Sequence, residues 1–511
     1  MIPVYVVVLS IGALIEQSLH TSVGAIAAFG CIVFLAVIII FPSKRGIVFA
    51  VIILSMFFMG VCRISLEKET PKEFFGTRTL TARVQSVDRR LDKTIYVVKD
   101  LSFGRNIQIE NGPQLEPGNI VSISGMIEQQ KDFMTDTGRL FPYQRYMESK
   151  GVAGVMKHST VEVISTGKNS LVRIATRARH TIAELLTRSI AFPIDGIVAG
   201  MLVGYQGGIP DTISDLFRAT GVLHVLVLSG FNITLLACIM GLLLKPLPIK
   251  VRSVLIGFSI LFLVLMSGSG TASVRAGVMG SLVLLSRVSR VKISPFKILL
   301  FTFVIFLFLS PKTIFYDPGF HLSFLATFFM ILVLPKVEGW SRFMPDTRIV
   351  SLRELVMLAV SVPVFMLPYT MYFSGIAPLS GIPANMVLAI VSPIFMSLGA
   401  GIILFSWIPL VSLLFGMTLS YIGAKVIGIL ELLSRLPQWN TPPLSWQGVL
   451  GVYTVILFLL FRKELSLYVR QLRRVLVPPA SSSGLGNRSH TASFQKGNSR
   501  RHRSAPTYRE R

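Results

Sequence analysis

From residue 222 onward the chain repeats one theme, an apolar run followed by a short polar connection. Runs at 222–244, 253–268, 272–286, 298–310, 319–335, 354–373, 384–406, 410–434 and 446–461 predict membrane helices, because about twenty apolar residues cross a bilayer as an α-helix. Three more runs, at 2–15, 22–41 and 46–63, bring the expectation to about twelve spans, the first of them short. Between 65 and 167 the apolar period changes to two. Leu80–Val87, Thr94–Val98 and Asn119–Ile127 alternate as strands do, Asn111-Gly-Pro113 and Glu116-Pro-Gly118 mark turns, and Gly151–Val155 reads as a last strand. This stretch is a small all-β domain, and a five-stranded OB-like barrel fits its strand count. Leu171–Ile190 sets apolar residues at helical spacing against Arg173, Arg177, Arg179 and Arg188, predicting an amphipathic helix on the outer leaflet with its arginines toward lipid phosphates or, as the alternative, nucleic acid. Residues 194–208, short and Gly-rich, read as a re-entrant or interfacial piece.

The expected class is a polytopic α-helical membrane protein with an inserted OB-like extracytoplasmic domain. Its parts are N-terminal spans (1–64), the β domain (65–167), amphipathic and interfacial helices (168–220), a transmembrane bundle (221–464) and a basic disordered tail (465–511). Composition agrees: 52% of residues are hydrophobic, 15% are charged, and the mean hydropathy is +0.66. The net charge of +25 invites a nucleic-acid reading. Much of it instead sits in alternate connections, at Lys245/Lys250/Arg252, Arg287/Arg290/Lys292/Lys297, Lys336/Arg342/Arg348/Arg353 and Arg462/Lys463, as the positive-inside rule requires. That pattern predicts cytoplasmic N- and C-termini and a multi-pass protein of the cell membrane. Cys31, Cys62 and Cys238 lie in or beside apolar runs, so no disulfide is expected in the β domain. Zinc-like Cys/His spacing and a His-x-His-x-Asp-His run are both missing, and neither a metal nor a cofactor is expected. The N-terminus lacks a basic n-region and a small-residue cleavage site, so the first run is expected to be retained.

Polar residues inside the apolar runs are the candidate chemistry. Drawn as a helix at about 100° per residue, Gly221–Thr234 places Gly221, His224, Ser229 and Asn232 within one arc, and Arg218 extends it by a turn. Arg275 opens a span after a Gly/Ser-rich connection; Asp317, His321 and Ser323 open another; Asn385 follows Gly381-Ile-Pro-Ala384, a helix-break signal. An ion at mid-bilayer costs about 2.5–3.5 kcal/mol on insertion scales, so Arg275 and Asp317 need partners or water. An Arg275–Asp317 ion pair, an Asp317–His321 hydrogen bond and ordinary interhelical bonding are the structural readings. A polar vestibule shared with the 218–232 stripe is the functional one. Ser229 with His224 also suggests an intramembrane hydrolase, but position 227 is Val and the His lies five residues away, off the same face. In the β domain Tyr96, Phe103, Arg105 and Lys131 are candidates for stacking and phosphate contact with a single strand. Surface aromatics and solvated charges explain them almost as well.

Phe217–Asn232, Arg275-Ala-Gly-Val-Met279, Gly319-Phe-His-Leu-Ser-Phe-Leu-Ala326, Asn385, and Tyr143-x-x-Tyr146 followed by Gly151 together resemble the ComEC-type competence channels, which import transforming DNA through the bacterial inner membrane. The resemblance covers about residues 1–465. It implies a non-enzymatic channel for single-stranded DNA, with Arg218, His224, Ser229, Asn232, Arg275, Asp317, His321, Ser323 and Asn385 along the path. Asn232 stands where the family carries a second His, which leaves a hydrogen-bonding role open but not an acid–base one. Many members end in a metallo-β-lactamase-like domain; here a basic tail without those ligands is expected. No Gly-x-x-x-x-Gly-Lys-Ser/Thr loop occurs, so the resemblance implies a separate cytoplasmic motor helicase, a separate nuclease and a DNA receptor, with membrane lipid around the bundle and a homo-oligomer possible. A transporter or exporter of another polyanion or small solute is the alternative.

Overall fold

The computed structural model describes residues 72–135, 138–167, 170–228, 230–268, 270–337, 352–378, 380–440 and 444–476. The three N-terminal runs, Ser229 and the tail beyond 476 lie outside the described residues. The β domain is a closed five-stranded barrel in the order β1-β2-β3-β7-β4, built from β1 (Gly76–Arg89), β2 (Thr94–Asp100), β3 (Asn106–Glu110), β4 (Ile120–Glu128) and β7 (Val152–Ser165). β1 closes it by pairing with β4 through its first half (Gly76↔Ile127 to Arg83↔Ile120) and with β2 through its second (Ala82↔Asp100 to Arg89↔Thr94). The register shift between Val84 and Ser86 bends the strand from one neighbour to the other. β3 and β7 pair in parallel, β7 and β4 antiparallel. The expected alternation is real: Val84, Val98, Ile107, Ile109, Val121 and Ile123 fill the interior at 0–1% exposure. The buried Asp100 is accounted for locally, since its carboxylate accepts from the amides of Ser102 (3.1 Å) and Phe103 (3.0 Å). Between β4 and β7 the chain adds a small hairpin, β5 (Phe133–Met134) with β6 (Leu140–Phe141), and helix α1 (Tyr143–Ser149).

Helix α2 (Leu171–Ser189) corrects one expectation. Three of its four arginines reach the barrel rather than lipid: Arg173 donates to Pro117 O (2.9 Å) and Asn119 Oδ1 (2.8 Å), Arg177 to both oxygens of Glu116, and Arg179 to Val87 O (2.7 Å), while Arg188 is exposed at the end of the helix. Arg173 and Arg179 are each 5% exposed. A guanidinium fork matches the unpaired carbonyls of the barrel turns as well as it matches phosphate, and those carbonyls lie within reach. The face of α2 that carries Ala175, Arg179, Ala183 and Leu186 packs on α3 (Ile194–Val203) and on helices of the bundle. α2 is thus the strut between barrel and bundle.

α3 is buried along nearly its whole length, in a core with α13 (Gly381–Leu404) and α14 (Pro409–Ser434). Two glycines of α14 permit this. A Cβ on Gly416 would stand 1.9 Å from Ser189 O, and one on Gly423 2.6 Å from the Ile194 side chain. After α4 (Asp211–Ala219), Gly221 at φ +70° and a 3-10 turn at Leu223–Val225 interrupt the chain, and α5 begins only at Gly230 (Gly230–Leu243). The α-helix expected through 221–234 is therefore not continuous: the left-handed Gly221 separates the stretch from α4, and Leu223–Val225 forms a 3-10 turn before α5.

Then follow α6 (Ile249–Met266), α7 (Thr271–Val288), α8 (Pro295–Leu309), α9 (Pro311–Tyr316), α10 (Pro318–Leu332), α11 (Leu334–Val337), α12 (Leu352–Ser374), α13, α14 and α15 (Trp446–Leu476); β8 (Ile376–Pro378) pairs with β9 (Gln438–Asn440). Each run expected to span from 222 onward carries a helix, and six helices among the described residues are long and apolar enough to cross a membrane. α6 is apolar on both faces: Ile256, Ile260 and Leu263 are buried while Val254, Phe258 and Leu261 are 57–70% exposed. A helix apolar all round belongs in lipid. The described part of the second unit, Phe461–Arg511, is helical to Leu476.

Candidate functional site

The polar residues of the bundle meet where α7, α10 and α12 come together. Asp317 caps α10 ahead of Pro318, a residue pre-set for the first helical position, and accepts from the Gly319 amide (2.9 Å). Its second oxygen accepts from the Thr271 hydroxyl on α7 (2.5 Å). One turn further along α7, Arg275 donates to the Thr327 hydroxyl on α10 (2.7 Å), with its guanidinium carbon 5.7 Å from the centre of the Phe324 ring. The Thr327 hydroxyl in turn donates to Ser323 O (2.9 Å). His321 links α10 to α12: Nδ1 lies 2.6 Å from the Tyr369 hydroxyl and Nε2 2.5 Å from Ile314 O. A carbonyl only accepts, so Nε2 carries a proton; in the neutral ring Nδ1 accepts from Tyr369. Arg275 and Asp317 are 8% and 4% exposed, and each has a neutral hydroxyl partner across the helix interface. Hydroxyls and a guanidinium in one seam offer donors to an anion, and the carboxylate keeps the local charge near balance.

The structure separates the other expected residues from this seam. Arg218 is exposed at the end of α4 and paired with Asp215; His224 is exposed on the 3-10 turn. Asn232, 3% exposed, donates to Met201 O (2.8 Å) and so satisfies a carbonyl of the last turn of α3. Asn385 donates within its own helix, to Gly381 O (2.7 Å), and the break expected there is the start of α13. The single stripe from Arg218 to Asn232 is thereby corrected: the turn at 220–228 sends Arg218, His224 and Asn232 to different neighbours. The connection that remains is Gly230, whose Cβ position lies 3.9 Å from Arg275 Nη2, so the first turn of α5 lies against the seam. The expected Asp317–His321 link is the backbone bond from His321 N to Asp317 O (3.2 Å), while both side chains serve other elements.

In the barrel, Tyr96 is corrected as a stacking residue. It is 2% exposed, points inward from β2 and donates to Pro113 O (2.8 Å), leaving no ring face for a base. Phe103 is 44% exposed on the β2–β3 turn, with Arg78 5.2 Å above its ring and Arg105 half-buried nearby; Lys131 is exposed beyond β4. Sequence reasoning missed Thr271, Thr327 and Tyr369, whose hydroxyls look unremarkable in apolar runs. It also missed Asp195, 5% exposed in α3, for which a lone carboxylate in a Gly-rich apolar run was the available signal. Among the described residues no group of three or more His, Cys, Asp or Glu is placed to hold a metal.

At the barrel–strut junction, burial depresses the His180 imidazole to about 4, with Arg179 and Arg89 adding to the shift. Its ring lies edge-on to Tyr205 at 5.4 Å. The Glu116 carboxyl is held below its ordinary value, first by its hydrogen bond from Arg177.

Barrel, strut and seamed bundle define a multi-pass membrane protein with an OB-like domain seated on one end of its helices. A family model described as "Competence protein" matches residues 201–466, which is just over half of the chain. The chain belongs to that competence protein family. ComE operon protein 3 of Bacillus subtilis (strain 168) is similar to it, at 22% identity over 336 residues, a stretch covering 62% of this chain and 40% of that protein. The chain thus spans about two fifths of the length of that relative. No solved structure matches.

Proposed function

We propose that the chain is the channel through which single-stranded DNA crosses the cytoplasmic membrane in competence. The observation that carries this reading is the seam of buried Arg275 and Asp317 with half-buried Thr271, His321 and Thr327 across three apolar helices. Polar groups in such helices are expensive, and they mark pathways more often than lipid-facing surface. Family membership supplies the cargo class. Single hydroxyl and guanidinium contacts suit a moving phosphate chain, since each must release the strand it binds.

The barrel stands at the end of the bundle formed by connections 267–270 and 310–317, and Lys245, Arg290 and Lys292 lie at the opposite ends of the same helices. By the positive-inside rule this orients the barrel outward, where it receives the strand from a DNA receptor. A cytoplasmic motor helicase supplies the pull, and a separate nuclease removes the complementary strand.

The reading is tested by labelled oligonucleotide entry into proteoliposomes loaded with a single-strand-binding trap. Single strands enter, duplex does not, and Arg275→Ala lowers entry at least tenfold while Arg275→Lys keeps part of it. Entry of polyphosphate or a small anion in preference to the oligonucleotide overturns the reading in favour of another cargo.

A further inference from the structure

We propose that the β5–β6 hairpin and α1 form a base-stacking ladder that hands a single strand from the barrel to the bundle. This rests on the reading of the chain as a single-strand channel.

The hairpin presents Phe133, 49% exposed, at its rim. Its ring lies 5.3 Å from Phe141 and 5.7 Å from Tyr143. Phe141 then meets Phe373 on α12 edge-on at 5.5 Å. Beside Phe373, Tyr372 leads inward to Tyr369 (6.0 Å), and Tyr369 to His321 of the seam (5.7 Å). The rings therefore run from an exposed rim on the β domain, where Phe133 and half-buried Phe141 and Tyr143 offer faces to bases, to the packed ring of Tyr369 (7% exposed) beside the polar cluster.

Cations accompany them. The Arg139 guanidinium lies 3.5 Å from the centre of the Tyr372 ring and donates to Tyr372 O. Arg145 lies 5.5 Å from the centre of Tyr316, the residue before Asp317, and Lys150 lies 4.4 Å from that of Tyr146. The neighbouring acids already have partners: Glu148 accepts from Lys312 and Gln144, and Asp132 from the Gln144 amide. Aromatic faces interleaved with cations are what an unpaired strand needs, because every base has a π-face and every linkage a phosphate. An aromatic belt serving only the lipid interface would stop at the bilayer surface. This one continues between α10 and α12.

The test uses the full chain in nanodiscs and two oligonucleotides of equal length, one of thymidines and one abasic. Both carry the phosphates, and only the first can stack. The intact chain is expected to bind the thymidine strand about tenfold tighter than the abasic one. Phe133→Leu keeps an apolar side chain against Phe141 and Tyr143 but removes the π-face; it is expected to bring the ratio close to one, and Phe133→Trp to restore it. Equal binding of both strands by the intact chain, or an unchanged ratio in Phe133→Leu, overturns the ladder and leaves the channel reading standing. Absence of binding to either strand at low salt counts against DNA as cargo, and the ladder falls with it. A Phe133→Leu variant that loses thermal stability only in lipid, with the ratio unchanged, makes the hairpin a lipid anchor instead.

Discussion

The protein buries arginine in two regions and treats it differently in each. At the strut, Arg173 and Arg179 are 5% exposed, and their donors reach barrel carbonyls, of Pro117 in a turn and Val87 in β1, and the Asn119 amide oxygen. In the seam, Arg275 is almost as buried but meets a hydroxyl and a phenylalanine ring. Backbone carbonyls are obligatory acceptors that are costly to leave unmade, so the first arrangement welds two parts together. A hydroxyl is a neutral partner that can rotate away, and in the proposed channel it would give place to a phosphate oxygen. The same side chain thus fastens the barrel at one end of the molecule and meets only neutral partners in its middle, where the proposed channel would exchange them for phosphate.

The comparison breaks most readily at Arg173. Arg173→Ala leaves Pro117 O and Asn119 Oδ1 buried without their charged donor and is expected to cost about 3 kcal/mol, read as a lower midpoint of thermal unfolding in detergent. Arg275→Met is expected to shift that midpoint far less and single-strand entry far more. If the two variants behave alike, the distinction between fastener and contact fails. Asn232→Ala removes the donor to Met201 O and is expected to cost about 1–3 kcal/mol. A change in the pH profile of transport in Asn232→Ala would contradict the assignment of Asn232 as a structural amide. Tyr96→Phe loses one hydrogen bond inside the barrel, about 1 kcal/mol, with single-strand affinity unchanged.

A further effect is the pH response of the junction. His180 is neutral in the fold until about pH 4, whereas a free imidazole titrates near 6.5. Between those values the unfolded chain binds more protons than the folded one. Stability therefore falls as the pH drops from about 6.5 toward 4 and is insensitive to this group above 6.5. His180→Phe is expected to flatten that part of the stability–pH curve, and an unchanged slope would exclude His180 as its source.

The barrel was legible because alternation reports directly on an inside and an outside; even Gly151–Val155 falls on the closing strand, over residues 152–155. The spans were legible because lipid demands length and apolarity from one segment at a time. Partners were not. A helix with arginines at Arg173, Arg177 and Arg179 reads the same whether phosphates or barrel carbonyls lie beyond it, and only the fold brings the carbonyls near. The stripe from Arg218 to Asn232 failed for a local reason: helical periodicity assumes an unbroken helix, and Gly221 interrupts it. Arg275, Asp317, His321 and Ser323 were legible as costly or helix-capping residues in apolar runs. Their hydroxyl partners Thr271, Thr327 and Tyr369 carried no such signal. Tyr96 shows the converse limit, since an aromatic on a strand points inward or outward by register alone.

The central claim is that the strand passes along the seam of α7, α10 and α12. Photocrosslinking side chains placed singly at Ser323, at Thr271 and, on the lipid face of α6, at Val254 test it most directly, with a single strand arrested midway by a bulky end. The account expects crosslinks to DNA from Ser323 and Thr271 and none from Val254. Crosslinks absent from both seam positions while the arrested strand remains bound would place the path elsewhere and contradict it.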